Sequence, residues 1–248
     1  MKYPQFKPSK LPKISYKIHH SSPEIMPIEQ WHTIVTKIPP AKEGKFAIFK
    51  REIEAGKRLD MSPVFGYDSA LFLEKSPITV LYEGDKDPAT DPKGVWMSDS
   101  PFEYYGMTQL AARAKPGRVL VGGLGLGILS NLLADREDIT EVVVVEISPE
   151  VIKLLKPYLH RKVKVVEGDF LKEMWELERK GEEFQTVIAD IFKTAEQKEL
   201  FEDTRDTMTD SFPEARHLFW AFQDEYDEDR VRYWLMGREI MEKREAQK

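Results

Sequence analysis

The chain has 248 residues, of which 41% are hydrophobic and 32% charged, with a net charge of −6 and no cysteine. That length and apolar content suffice for a sizeable core, in one large domain or one domain with a smaller companion. The missing cysteines exclude disulfides, thiolate-bound metals and thiol nucleophiles and fit a cytoplasmic protein, and no apolar run approaches the roughly 18 residues of a membrane span. Charge is uneven along the chain. Residues 1–60 hold 12 Lys and Arg against 6 Asp and Glu, so the acidic excess lies in the remainder. An acidic total argues against a nucleic-acid partner, and scattered N-terminal lysines read as a solvated face.

Residues 1–40 contain 7 of the 16 prolines. Proline fixes φ and lacks an amide donor, so an extended arm or irregular structure is expected there, not helix. "KFAIFKREI" and "ITVLYEG" alternate apolar and polar or β-branched residues and predict strands. The turn-rich connector "EGDKDPATDPKG" leads into a short strand, "VWM". Residues 1–97 therefore read as a proline-rich arm with a small β-rich unit.

From Ser98 the pattern changes. "SPFEYYGMTQLAARAK" offers Ser-Pro at N-cap and N1 and ends at Pro116-Gly117, which predicts a helix. "RVLVGG", "EVVVVEI", "KVKVVEGD", "FQTVIAD" and "HLFWAF" follow as five apolar strands. Between them, "LGILSNLLADRED", "SPEVIKLLKPYL", "FLKEMWELERKG" and "TAEQKELFEDTRDTM" have helical spacing, and an amphipathic helix is expected at the C-terminal end. Strands apolar on both faces that alternate with helices predict an α/β fold with a doubly wound, mostly parallel, Rossmann-like sheet over residues 98–248.

Ligands on such sheets bind beyond the carboxyl ends of the strands, near the point where strand order reverses. The first strand there runs into Gly122-Gly123-Leu124-Gly125-Leu126-Gly127. The spacing is G-x-G-x-G, not the G-x-G-x-x-G of a dinucleotide fingerprint, because Ile128 stands where the alternative third glycine would be. Such a turn also serves plain helix–strand packing. Glu146 closes the second strand, 19 residues after Gly127, where a carboxylate can accept hydrogen bonds from ribose hydroxyls. Asp169 and Asp190 close the third and fourth strands, and each could equally cap the helix that follows it.

These four strand ends together resemble the class I S-adenosylmethionine-dependent methyltransferases. The run "RVLVGGLGLGILSNLLA…EVVVVEISPEVIKLLKPYL…KVKVVEGDFLKEM…FQTVIADIF" is similar to the spermidine synthase-like branch of that superfamily, over about residues 95–222. "WMSDSPFE" with "GGLGLG" also looks like a group of phage and prokaryotic methyltransferases. The resemblance implies S-adenosylmethionine as cofactor. It places Gly123, Leu124, Gly125 and Gly127 along the methionine-ribose part, Glu146 and Ile147 at the ribose and its neighbourhood, Asp169 at the adenine amino group and Phe170 on the ring. Asp190 would stand at the cleft mouth, among the cofactor-binding residues, where the family holds the substrate or the methionine end. Asp190, Asp99 and Tyr105 are the candidates for work on the acceptor, with Glu103 and Tyr104 nearby; Tyr104 and Tyr105 could also be helix core.

The departures bear on the chemistry. Aminopropyltransferases carry an aspartate inside the loop, where this chain has Leu126. After Asp190 the chain reads Ile191, Phe192, Lys193, and a lysine would repel a polyamine. Transfer of a methyl group to a small-molecule acceptor is therefore the expected function. Aminopropyl transfer and a non-catalytic nucleotide-binding module are the alternatives, and a homo-oligomer stays open. No H-x-x-x-H or H-E-x-x-H spacing is present, so no metal site is expected.

Overall fold

The computed structural model of the protein describes residues 25–61, 69–85, 91–192 and 197–220. The sequence expectations for the arm before residue 25, for Lys193 and for the C-terminal helix lie outside the described residues, as does much of the turn-rich connector. The described chain groups into two compact units. The first holds the residues up to Gln109 together with Gly125–Asn131 and Lys153–Leu159; the second holds Leu110–Leu124, Leu132–Ile152 and the residues from His160 onward.

The first unit carries two small sheets. In one, β1 (Ile25–Ile28) pairs parallel with β5 (Ser69–Phe72), and β4 (Arg58–Asp60) pairs antiparallel with β5 on its other side. Residues 25–28 thus form a strand inside the proline-rich stretch. Pro27 is compatible with it because β1 lies at a sheet edge, where an amide donor is not needed on the outer side. In the other sheet, β2 (Ala41–Glu43), β3 (Phe46–Ile53), β6 (Ser76–Glu83) and β7 (Val95–Ser98) run antiparallel in the order β2-β3-β6-β7. The last three are the strands expected from the alternation. The pairing of β6 with β7 shifts between Leu81 and Tyr82: Leu81 faces Met97 and Tyr82 faces Val95. Trp96 is the extra residue of a β-bulge.

Helix α1 (Pro101–Arg113) follows, and then the five-stranded sheet of the second unit: β8 (Gly117–Gly122), β9 (Ile139–Glu146), β10 (Val163–Glu167), β11 (Thr186–Ala189) and β12 (Arg216–Phe219). All its pairings are parallel, in the order β10-β9-β8-β11-β12. This is a Rossmann-like arrangement in which order reverses at β8. The connecting helices are α2 (Ile128–Ala134), α3 (Pro149–Leu155), α4 (Phe170–Arg179) and α5 (Lys198–Ser211).

Why the inner strands are apolar on both faces is visible in their burial. On one face Leu120, Val143, Val145, Val187, Ala189 and Phe219 form a core with Phe170, Met174 and Leu177 of α4 and Phe201 and Met208 of α5. The α4 residues stand at i, i+4 and i+7, one side of a helix. The intervening strand residues Val119, Val121, Val142, Val144 and Ile188 point to the opposite face by the two-residue period of a strand, and they too are buried.

Candidate cofactor site

The reversal point is tied together by backbone. Gly122 at the end of β8 accepts the Asp190 amide through its carbonyl at 2.8 Å, and the Gly123 amide donates to Val145 O of β9 at 2.8 Å. The chain therefore leaves β8 pinned to both neighbours. Gly123 has φ of +90°, and a Cβ there would overlap the Asp190 carbonyl oxygen, so no other residue type fits this crossing without movement. A Cβ on Gly122 would sit 2.5 Å from the Phe170 ring. Both bare positions in β8 and its exit are thus demanded by packing within the protein.

Glu146 is the centre of the site. Its side chain is buried, and its two oxygens accept different amides: Leu124 N in the glycine loop and Ser148 N before α3, each at 2.8 Å. The carboxylate therefore joins the end of β9 to the loop after β8. A carboxylate offers about four lone-pair sites, so two remain for other donors. Next to it, Ile147 is 70% exposed, an apolar side chain left on the surface beside a buried charge.

The two residues expected at the adenine also have roles within the protein. Asp169 caps α4, its Oδ1 accepting Lys172 N at 3.1 Å. Phe170, placed against the adenine ring by resemblance, instead turns inward as the first residue of α4; it is 5% exposed and covers Gly122 within the α4–α5 core. Asp190 stands half-buried at the end of β11, beside the loop's first glycines.

The second half of the loop belongs to the first unit. Gly125 and Gly127 have φ of +50° and +74°. Leu126 between them is fully buried, and its amide donates to Met97 Sδ of β7 at 2.9 Å. A Cβ on Gly125 would overlap that sulfur.

The residues expected on the acceptor side around Ser98 are engaged within the protein. Asp99 is 0% exposed. Its Oδ1 accepts Thr79 N at 2.6 Å, its Oδ2 accepts Thr33 Oγ1 at 2.5 Å, and its carbonyl accepts Trp31 Nε1 at 2.9 Å. Burial raises its pKa against the hydrogen bonds from Thr33 and Thr79 and the charge of Lys50. Lys50 in turn donates to Thr36 O and Thr79 Oγ1 at 2.7 and 2.6 Å. Burial lowers its pKa while Asp99 opposes this. Asp99 is a buried clasp, not a group facing an acceptor. Tyr104 and Tyr105 are buried on α1, with Tyr104 edge-on to Trp31 at 5.6 Å. Glu103 accepts both the amide and, at 2.7 Å, the hydroxyl of Ser98, and burial pushes its carboxyl up to about 7.

Sequence reasoning missed Met97, Ser148, Thr33, Thr79 and Lys50. Only Ser148 carried a local signal, as the serine of a Ser-Pro-Glu helix start. Among the described residues no His, Asp and Glu cluster could hold a metal, and no helix is long and apolar enough to cross a membrane.

No protein-family model matches the sequence, and no curated protein matches it. Similar solved structures exist. One is a precorrin 8W decarboxylase from Methanobacterium thermoautotrophicum, 21% identical over 46% of this chain and 61% of that one, with a TM-score of 0.36. Another is spermidine synthase from Thermotoga maritima, 15% identical over 55% of this chain and 49% of that one, TM-score 0.38. A third is described as a caffeoyl-CoA O-methyltransferase from Staphylococcus aureus, 18% identical over 42% of this chain and 51% of that one, TM-score 0.32. The chain spans about half to three fifths of the length of these structures. All three are named for enzymes.

Proposed function

We propose that this chain binds S-adenosylmethionine at the carboxyl ends of β8, β9 and β11 and directs its methyl group to a small-molecule acceptor. The observation that carries this reading is Glu146: a buried carboxylate at the reversal point, with lone pairs to spare for a vicinal diol and an exposed apolar residue, Ile147, beside it. A ribose and an adjoining flat apolar base suit that pair of side chains. Glu146 would hold the ribose, Ile147 would cover the base and the loop amides would lie along the methionine-ribose part. When bound, the cofactor's sulfonium supplies an electrophilic methyl group. The chain's own contribution is to align the acceptor and exclude water, and a base is needed only if the acceptor must lose a proton. Asp190, at the end of β11, would orient the methionine end or the acceptor. The buried Leu126, where aminopropyltransferases carry an aspartate, supports methyl transfer over aminopropyl transfer.

Calorimetric titration with S-adenosylmethionine and with its decarboxylated form tests the reading. Stronger binding of the intact cofactor is expected, followed by acceptor-dependent release of S-adenosylhomocysteine from a fractionated metabolite extract. No binding of either nucleoside would reject the site. Preference for the decarboxylated form, with consumption of putrescine, would establish aminopropyl transfer instead. Binding without turnover on any fraction would favour a non-catalytic module.

A further inference from the structure

We infer that Met97 is a positioning residue that sets the conformation of the second half of the glycine loop, Gly125–Gly127, through its sulfur. The effect on ligand binding rests on the cofactor reading above; the effect on the loop does not.

The argument starts in β7. Its residues Val95, Trp96, Met97 and Ser98 are too few to define a face by alternation alone, and the bulge at Trp96 decides which side chain turns inward. A bulge bends its strand and re-aims the next residue. Trp96 is left half-exposed, with Nε1 donating to Glu83 Oε2 at 2.6 Å, and Met97 becomes the buried member of the strand. Its neighbours lock it there. Ser98 is held by Glu103, and Asp99 by Thr33 and Thr79. Three consecutive side chains are therefore fixed, and the first of them faces the loop.

The loop side is equally specific. Leu126 is fully buried, so its amide needs an acceptor inside the protein, and Met97 Sδ is that acceptor. A thioether is a weak acceptor, yet it sits on an unbranched stem that can reach beneath a turn where a branched side chain could not. Gly125 in its left-handed conformation brings the backbone down onto the sulfur, with no space for a Cβ between them. A residue that merely filled volume would leave the Leu126 amide without a partner. The contact thus explains a methionine and a glycine, 28 positions apart, by one interaction.

Two variants separate volume from hydrogen bonding. Met97→Leu keeps the bulk and removes the acceptor, a swap that cores tolerate well. Met97→Gln supplies an amide oxygen at a similar reach. Amide hydrogen exchange by NMR in the unliganded protein reads the loop directly. The Leu126 amide should exchange on the order of tenfold faster in M97L and recover in M97Q, as expected for loss and return of one hydrogen bond. S-adenosylmethionine affinity, read by calorimetric titration, should follow, about three- to tenfold weaker in M97L and restored in M97Q. Unaltered Leu126 protection in M97L would overturn the inference. Altered protection in a protein that binds no adenosyl ligand would uphold the positioning role and reject the cofactor reading.

Discussion

Glu103→Gln isolates a buried acid whose ionisation opposes folding. Glu103 sits in the first turn of α1 and accepts two hydrogen bonds from Ser98, which favour the charged form. Desolvation outweighs them, the neighbouring Asp99 adds to it, and the carboxyl ionises at about 7 instead of its ordinary 4.5. Between those two values the folded protein binds more protons than the unfolded chain, so stability falls as pH rises. The contribution is fully present below 4.5 and lost as pH passes 7. At 1.36 kcal/mol for each pH unit the whole span is worth about 3 kcal/mol, and because solvent still reaches part of Glu103, about 1–3 kcal/mol is the expected loss. Glutamine presents the same accepting oxygen to Ser98 and cannot ionise. Urea denaturation of both proteins at pH 5, 6, 7 and 8 should therefore give similar stability at pH 5, with E103Q pulling ahead by that amount at pH 8. Asp99 also titrates upward, but it is present in both proteins and largely cancels in the difference. Parallel stability curves for the two proteins across this range would refute the reasoning.

Other substitutions test the remaining structure. Glu146→Ala should weaken S-adenosylmethionine binding by about 1–3 kcal/mol, the scale of hydrogen bonds to a charged acceptor, and unchanged calorimetric affinity would remove Glu146 from the site. Gly123→Ala and Gly181→Ala form a matched pair: both have left-handed backbone, but only at Gly123 does a Cβ meet another atom. Gly181→Ala should cost about 1–2 kcal/mol in chemical denaturation, and Gly123→Ala should cost clearly more. Thr33→Val removes a donor from the buried Asp99 carboxylate and should lower stability by about 1–3 kcal/mol at pH 7, with part of the loss recovered at lower pH as Asp99 becomes protonated. Asp190→Asn should leave thermal stability and cofactor affinity nearly unchanged while reducing turnover on the acceptor, once one is found; unchanged turnover would confine Asp190 to a structural role.

The second unit was legible because its inner strands β8, β9 and β11 are buried on both faces. A run such as Val142–Val145 has no polar alternative side to present, and the Ser-Pro starts of α1 and α3 announce themselves locally. Glu146 was legible for a related reason, as a lone carboxylate closing an apolar strand. The aspartate at 169 shows the limit: capping a helix and receiving an adenine use the same residue type at the same position, and sequence does not separate them. Phe170 shows another. Its inward turn depends on Gly122, 48 positions earlier, leaving space for a ring. The strands β1, β4 and β5 are only three or four residues long, with Pro27 in β1 and Arg58 and Asp60 in β4, so their pairing with one another, not their composition, makes them strands. In the sequence Asp99 is only an acidic side chain just before α1, and so a candidate for the acceptor side. Its partners Thr33 and Thr79 are distant in sequence and silent as a motif.

The order β10-β9-β8-β11-β12 has a consequence for how the chain is made. The strand synthesised first, β8, is the middle one, and its two sides are filled at different times. During elongation β9 and then β10 can dock on one flank, while the other flank waits until residues 186–189 leave the ribosome. For that interval the apolar run Val119–Val121 offers an open row of amides and carbonyls, the kind of edge that recruits strands from other chains. Truncations ending between β10 and β11 should therefore aggregate, whereas chains extended past β12 close both flanks of the central strand.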